Sequence, residues 1–202
     1  MVAPSKTLNA TAVHAWQTVA TGNVIVGSAI DVSTKWAKAF YIQLARVTGT
    51  AFTAPWPRVR IEAAGKASSN DKWIPLYEYS MAVGASIAST SLNGAVSGGA
   101  TTCVVTAATN IVAGDLLFLG HTTTAANYEI IRVKGVSGTT VTFEEACTNA
   151  HDTGAVVTDQ AEVVFPAFNM ETCTRCRVVI DNAGGGQSVY VEVHELTYDS
   201  FA

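Results

Sequence analysis

Four cysteines and four histidines are the residues in this chain best suited to bind a metal or attack a carbonyl. Cys173 and Cys176 form a C-x-x-C pair. A structural zinc site takes four ligands, commonly a second C-x-x-C or paired histidines. The remaining candidates, Cys103, Cys147, His14, His121, His151 and His194, show no paired spacing. Residues three apart on a strand point to opposite faces, so Cys173 and Cys176 could share an ion only from a turn. A redox C-x-x-C belongs at a helix N-terminus after a strand, and the pattern predicts no helix there. All four cysteines therefore read as free thiols acting as small apolar residues.

Other chemistries find even less. No G-x-S-x-G elbow is present for a serine nucleophile. His151 and Asp152 are sequence neighbours, and neighbours on a loop rarely make the His–Asp bond of a triad; a polar loop is expected. Glu144 and Glu145 should diverge at a strand end, and Glu192 with Glu195 is the other nearby pair. A glycosidase needs two carboxylates facing each other across a cleft. Gly184, Gly185 and Gly186 precede no helix, so they cannot build a phosphate cradle. The aspartates are single, without a calcium-loop spacing. The expectation is a non-enzymatic protein with no catalytic residue, no metal and no cofactor.

Bulk composition narrows the class. Of the 202 residues 49% are hydrophobic and only 14% charged, against roughly 25% charged in an average soluble domain. Mean hydropathy is +0.26. Such a chain packs rather than stays disordered, and its low charge suits surface buried against other subunits. Net charge is −4 and no basic run appears, so nucleic-acid binding is not expected. No apolar stretch approaches the ~18 residues of a membrane span, and residues 1–10 lack the charged-then-apolar order of a secretory leader.

The elements that must carry these residues are strands. Over residues 38–46, Phe40, Ile42 and Leu44 alternate with Ala39, Tyr41, Gln43 and Ala45, the period of a half-buried strand. Val59 and Ile61 alternate with Arg58, Arg60 and Glu62, and residues 23–30 and 72–78 are further candidates. Residues 7–18 fit either a helix or a strand. Pro55 and Pro57 bracket Trp56 and mark a loop or sheet edge. Trp16, Trp36 and Trp73 are expected in the core, whereas Trp56 is a candidate inter-subunit contact.

Composition shifts at Ser80. Residues 81–100 are small, nearly uncharged and loop-like, and short strands follow at 101–106, 115–119, 128–136 and 139–144. Ser137 and Gly138 close a hairpin between the last two. Residues 173–181 and 187–197 read as an antiparallel pair joined by the glycine loop. In the final strand Val189, Val191 and Val193 face the core, while Tyr190 and His194 face outward as candidate inter-subunit contacts. The predicted fold is all-β: a jelly-roll-like β-sandwich of residues 1–80 with 161–202, split by an inserted small β-barrel or β-sandwich of residues 81–160. Hairpin tips tolerate such insertions.

The middle of the chain carries a resemblance. Residues 113–120 read AGDLLFLG, residues 128–133 YEIIRV, residues 136–143 VSGTTVTF and residues 148–151 TNAH. This run resembles small β-modules of tailed-bacteriophage head and tail proteins, over about a quarter of the chain. The resemblance implies a virion structural protein and no catalytic residues. It is most like a capsid decoration, or cement, protein on the capsid exterior. That family implies the major capsid protein as partner, self-association as a homotrimer, and neither nucleic-acid nor membrane binding. A tail-tube or neck component is the alternative, with residues 81–100 either its stacking loop or merely the linker into the insertion. A host-surface carbohydrate-binding module is a further one.

Overall fold

The computed structural model describes residues 6–7, 12–52, 56–65, 72–81, 87–170, 173–184 and 186–199. Pro55, the Trp36 side chain, Gly185 and residues 82–86 of the small-residue stretch lie outside that description. The strands in chain order are β1 (Lys6–Thr7), β2 (Ala12–Val19), β3 (Asn23–Val26), β4 (Ile30–Asp31), β5 (Lys35–Arg46), β6 (Arg58–Ala64) and β7 (Ile74–Ser80). Next come β8 (Ser89–Ser91), β9 (Thr102–Val104), β10 (Leu116–Leu119), β11 (Glu129–Ser137), β12 (Thr140–Phe143) and β13 (Val156–Thr158). Then follow β14 (Glu162–Val164), β15 (Ala167–Asn169), β16 (Arg175–Asn182) and β17 (Val189–Asp199). A single 3-10 turn, Ala125–Asn127, is the one helical element among the described residues.

Two antiparallel sheets form a β-sandwich from the first and last groups of strands. In the first sheet β1 and β2 lie beside β17, then comes β5, then β14 and β15. In the second, β3 and β4 flank β16, followed by β6 and β7. The alternating residues meet between them. Phe40, Ile42, Leu44, Val189, Val191 and Val193 from the first sheet pack on Val59, Ile61, Cys176, Val178 and Ile180 from the second. Each apolar side chain withdrawn there contributes about 1.5–3 kcal/mol before the entropy of ordering. Residues 7–18, ambiguous by pattern, are extended in β1 and β2 wherever described, because β17 offers the ladder.

The pairing of the last two strands differs from expectation. β16 and β17 do not bond to each other; β16 runs between β3 and β6 while β17 runs between β2 and β5. The glycine-rich link crosses the sandwich instead of closing a hairpin. The reason is burial: both strands carry an alternating apolar face, and those faces satisfy each other only across the core.

The chain leaves the second sheet at β7 and re-enters the first at β14. Between them it builds a third sheet in the order β8-β13-β10-β11-β12-β9. Its two end strands meet through the Leu92–Val105 bridge, with Asn93 N–H donating to Val104 and Thr106 N–H to Ser91. The sheet is thereby closed into a small barrel, a solution that leaves no bare edge. Leu92, Val105, Leu117, Leu119, Val133, Val141, Phe143 and Val157 fill it. The stretch read as loop-like, 81–100, thus contributes β8 and the buried Leu92 and Val96 to the barrel. Gly138 sits at φ +60 in the turn between β11 and β12, a left-handed conformation that glycine takes without strain.

Candidate functional site

Strand β10 explains how barrel and sandwich are joined. Its four residues, LLFL, are apolar on both faces because both faces are covered. Leu117 and Leu119 point into the barrel. Phe118 points at the outer face of the first sheet, where it stacks on Tyr190 with ring centroids 4.5 Å apart and planes 17° apart. Trp16 and Tyr128 close around Phe118 edge-on at 5.5 and 5.2 Å. Ala45 and Ala161 complete this third apolar cluster. Tyr190, an expected inter-subunit contact, is only 9% exposed because the chain's own barrel covers it. Trp16 lies in this joint rather than in the sandwich core.

The other two expected contacts remain open to solvent. Trp56 is 43% exposed. His194 is half-buried on the outer face of the first sheet, with Nε2 3.1 Å from Glu192 Oε1 and its ring beside Tyr41.

His151 departs from the expected polar loop. It is buried inside the barrel wall, with Nδ1 2.7 Å from the Gly120 carbonyl oxygen and Nε2 2.7 Å from Glu129 Oε1. The Glu129 carboxylate also accepts the backbone N–H groups of Thr148 and Asn149. Asp152 turns away to His121, 3.2 Å from its Nε2. Cys147 approaches Glu129 as well, and burial with that neighbouring carboxylate pushes its thiol up to about 12. Glu129, Cys147 and His151 place one ligand atom each within 4.8 Å of one another. A metal would have to displace the Glu129–His151 contact and strip the Cys147 proton. The same contacts tie the 147–151 segment to β11 and to the residue that follows β10.

The C-x-x-C cysteines do not straddle a strand as alternation predicts: Cys173 lies just before β16, Cys176 lies on it, and both pack against the sandwich core. Cys176 is buried in the sandwich core and Cys173 half-buried at its rim; no disulfide joins any of the four cysteines. Burial pushes Cys103 up to about 11 and Cys176 up to about 12, so these are inert thiols rather than nucleophiles. Glu144 pairs loosely with Arg132, Glu195 with the buried Lys38, and Glu192 with Gln43.

The outer face of the second sheet is where charge concentrates. Arg58, Arg60 and Glu62 on β6 alternate with core residues and point away from the sandwich, as do Arg175, Arg177 and Asp181 on β16. Arg177 reaches Glu62 at 2.7 Å and Arg58 reaches Asp181 at 3.0 Å. Arg60 lies within 4 Å of both Glu62 and Asp181. Trp73 is not core: the guanidinium carbons of Arg177 and Arg175 stand 4.2 and 5.3 Å from its ring centroid. Val24, Val26, Ile74 and Leu76 expose 39–63% of their surface on the flanking strands β3 and β7. Arginine and tryptophan with aliphatic neighbours is the composition of protein-interface cores. Sequence reading noticed only Arg58 and Arg60 as an ordinary strand face. The partners Arg175, Arg177 and Trp73 come from distant segments, and only the register of β16 on β6 brings them together.

This face lies on the far side of the sandwich from the barrel, since the barrel packs on the first sheet. Between barrel and first sheet the joint leaves two adjoining depressions of ≈ 340 and ≈ 290 Å³ that share Glu129, Ile130 and Thr148.

No protein-family model matches the sequence, and no curated protein matches it. Among solved structures the chain is similar to the Gp54 tailspike of Acinetobacter baumannii bacteriophage AP22, solved in complex with capsular saccharide, at 19% identity and TM-score 0.30. It is similar to the tailspike gp49 from Pseudomonas phage LKA1 at 27% identity and TM-score 0.29. Both matches cover 36% of this chain, and the chain spans only 15% and 14% of the two tailspikes. A third similarity, to the SPBc2 prophage-derived protein YomS, covers 98% of this chain and 96% of that one at 9% identity and TM-score 0.33. All three are phage or prophage proteins; at these scores the likenesses do not define a shared fold.

Proposed function

We propose that this chain is a structural component of a tailed-phage virion, and within the virion a decoration protein on the capsid exterior. One observation carries the reading: the molecule has two opposed ends of different character. At one end the second sheet presents a flat arginine–tryptophan face rimmed by exposed aliphatics. At the other stands a closed barrel without a bare edge, braced on the sandwich by Phe118 and Tyr190. The flat face seats on the major capsid protein and the barrel projects outward. Each copy bridges neighbouring capsid subunits, and many such contacts add through multivalency. The guanidinium groups Arg58, Arg60 and Arg177 are met by carboxylates, which suits a protein partner better than a phosphate backbone. A homotrimer, implied by the family resemblance, would present three such faces together. The tail or neck alternative loses its stacking loop wherever 81–100 is described, because residues 89–96 are built into the barrel.

The test is the copy number of this protein in purified particles, measured by quantitative mass spectrometry against the major capsid protein. A simple capsid-lattice ratio is expected. A small ring-sized number would move the protein to the neck or tail, and absence from particles would overturn the virion reading.

A further inference from the structure

We infer that the groove between barrel and first sheet is a binding site for a neutral oligosaccharide. The inference stands on the groove's own geometry and is independent of how the second sheet seats.

The groove runs between two packed units, a common place for ligand sites, and each of its two depressions is of ligand size. Aromatic rings sit at both ends. Tyr41 lines one end and packs at 4.6 Å on Phe165, which is 61% exposed. Tyr128 lines the other, with Trp16 almost wholly buried behind it. Sugar rings present patches of C–H to such faces and hydroxyls at their edges. Hydroxyl partners stand between the aromatic ends. Asn149 and Gln43 line the floor, with Gln43 Nε2 donating to Glu192 at 2.6 Å. The Asn149 side-chain amide and the Tyr41 and Tyr128 hydroxyls are further polar groups of this lining. Burial and the nearby Glu192 raise the Tyr41 phenol above its ordinary range, so it remains a donor.

Charge selects among sugars. Glu129, Glu144, Glu145 and Glu192 line the groove against the single guanidinium of Arg132. Acidic glycans would be repelled, and neutral ones meet acceptors for their hydroxyls. No single strand displays these rings, which come from β2, β5, the residue before β11 and the residue after β14.

The test is to apply the full-length chain to an array of neutral and acidic glycans and measure the bound glycans by calorimetry. Binding to neutral oligosaccharides and not to acidic ones is expected. Phe165→Ala and Asn149→Ala, both at solvent-accessible positions, should each weaken binding by about tenfold or more with an unchanged thermal midpoint. Tyr41→Phe separates the hydroxyl from the ring and should weaken binding less. The inference is overturned if no neutral glycan binds, if acidic glycans are preferred, or if Phe165→Ala and Asn149→Ala bind like the wild type. None of these outcomes bears on the particle copy number.

Discussion

Asp159 sits in an environment that its charged form disfavours. It is 4% exposed where the chain returns from the barrel to the sandwich. Burial pushes its carboxyl up to about 6, with Asp115 alongside adding to the rise and the Gln160 N–H opposing it. The folded state therefore holds this proton more tightly than the unfolded chain, whose carboxyl titrates near 3.8. By linkage, the contribution to stability is fully present below the unfolded value and is lost as pH rises towards about 6. Asp159→Asn keeps the acceptor for Gln160 and removes the penalty. It should raise urea stability by about 1–2 kcal/mol at pH 7.5 and by much less at pH 4. An equal effect at both pH values would show that the carboxyl is not the cause. The buried cysteines carry no such consequence near neutrality, because burial raises Cys103, Cys147 and Cys176 further from ionisation.

Among the elements, β10 and β17 decide whether barrel and sandwich move as one. β17 gives its valines to the sandwich and Tyr190 to the joint, while β10 gives its leucines to the barrel and Phe118 to the joint. Phe118 is fully buried. Phe118→Ala should cost about 3–5 kcal/mol, because it empties a cavity between two units that cannot collapse independently. Hydrogen exchange should quicken first in β10 and β2, with β16 protected until global unfolding. Uniform quickening across all three sheets would mean that the joint is not a separate cooperative boundary. A second brace supports the joint: Thr158 of β13 donates its hydroxyl to the Arg46 carbonyl of β5.

For the molecule as a whole, the layer order of second sheet, first sheet and barrel separates a docking end from a projecting end. Trp73→Ala combined with Arg177→Ala alters only the outer face of the second sheet. On the proposed seating, this pair should lower occupancy on shells stripped of the protein by about tenfold or more. The urea midpoint should fall, because Arg177→Ala leaves the nearly buried Glu62 carboxylate with only the longer contact to Arg60, so occupancy is read well below that midpoint. Full occupancy with the double variant would place the contact elsewhere. Trp56, exposed beside the same sheet, is the next position to change.

Much of this was legible before folding. Alternation in residues 38–46 and 58–62 assigned faces that the core confirms, since burying one side of a strand forces a period of two. Ser137 and Gly138 marked their turn because only a few residues tolerate the left-handed backbone there. Other features depended on contacts between segments far apart in sequence. His151 read as a loop residue because its partner Glu129 lies 22 positions away. Tyr190 and Trp73 exchanged their expected places because exposure depends on what packs above a sheet, and that cover comes from another part of the chain. Strand type and face are local properties of side-chain alternation, so the sequence by itself determined an all-β chain and its core valines. Sheet membership of β16 and β17, the arginine–tryptophan face and the aromatic groove depend on long-range register and layer order, which only the tertiary structure decided.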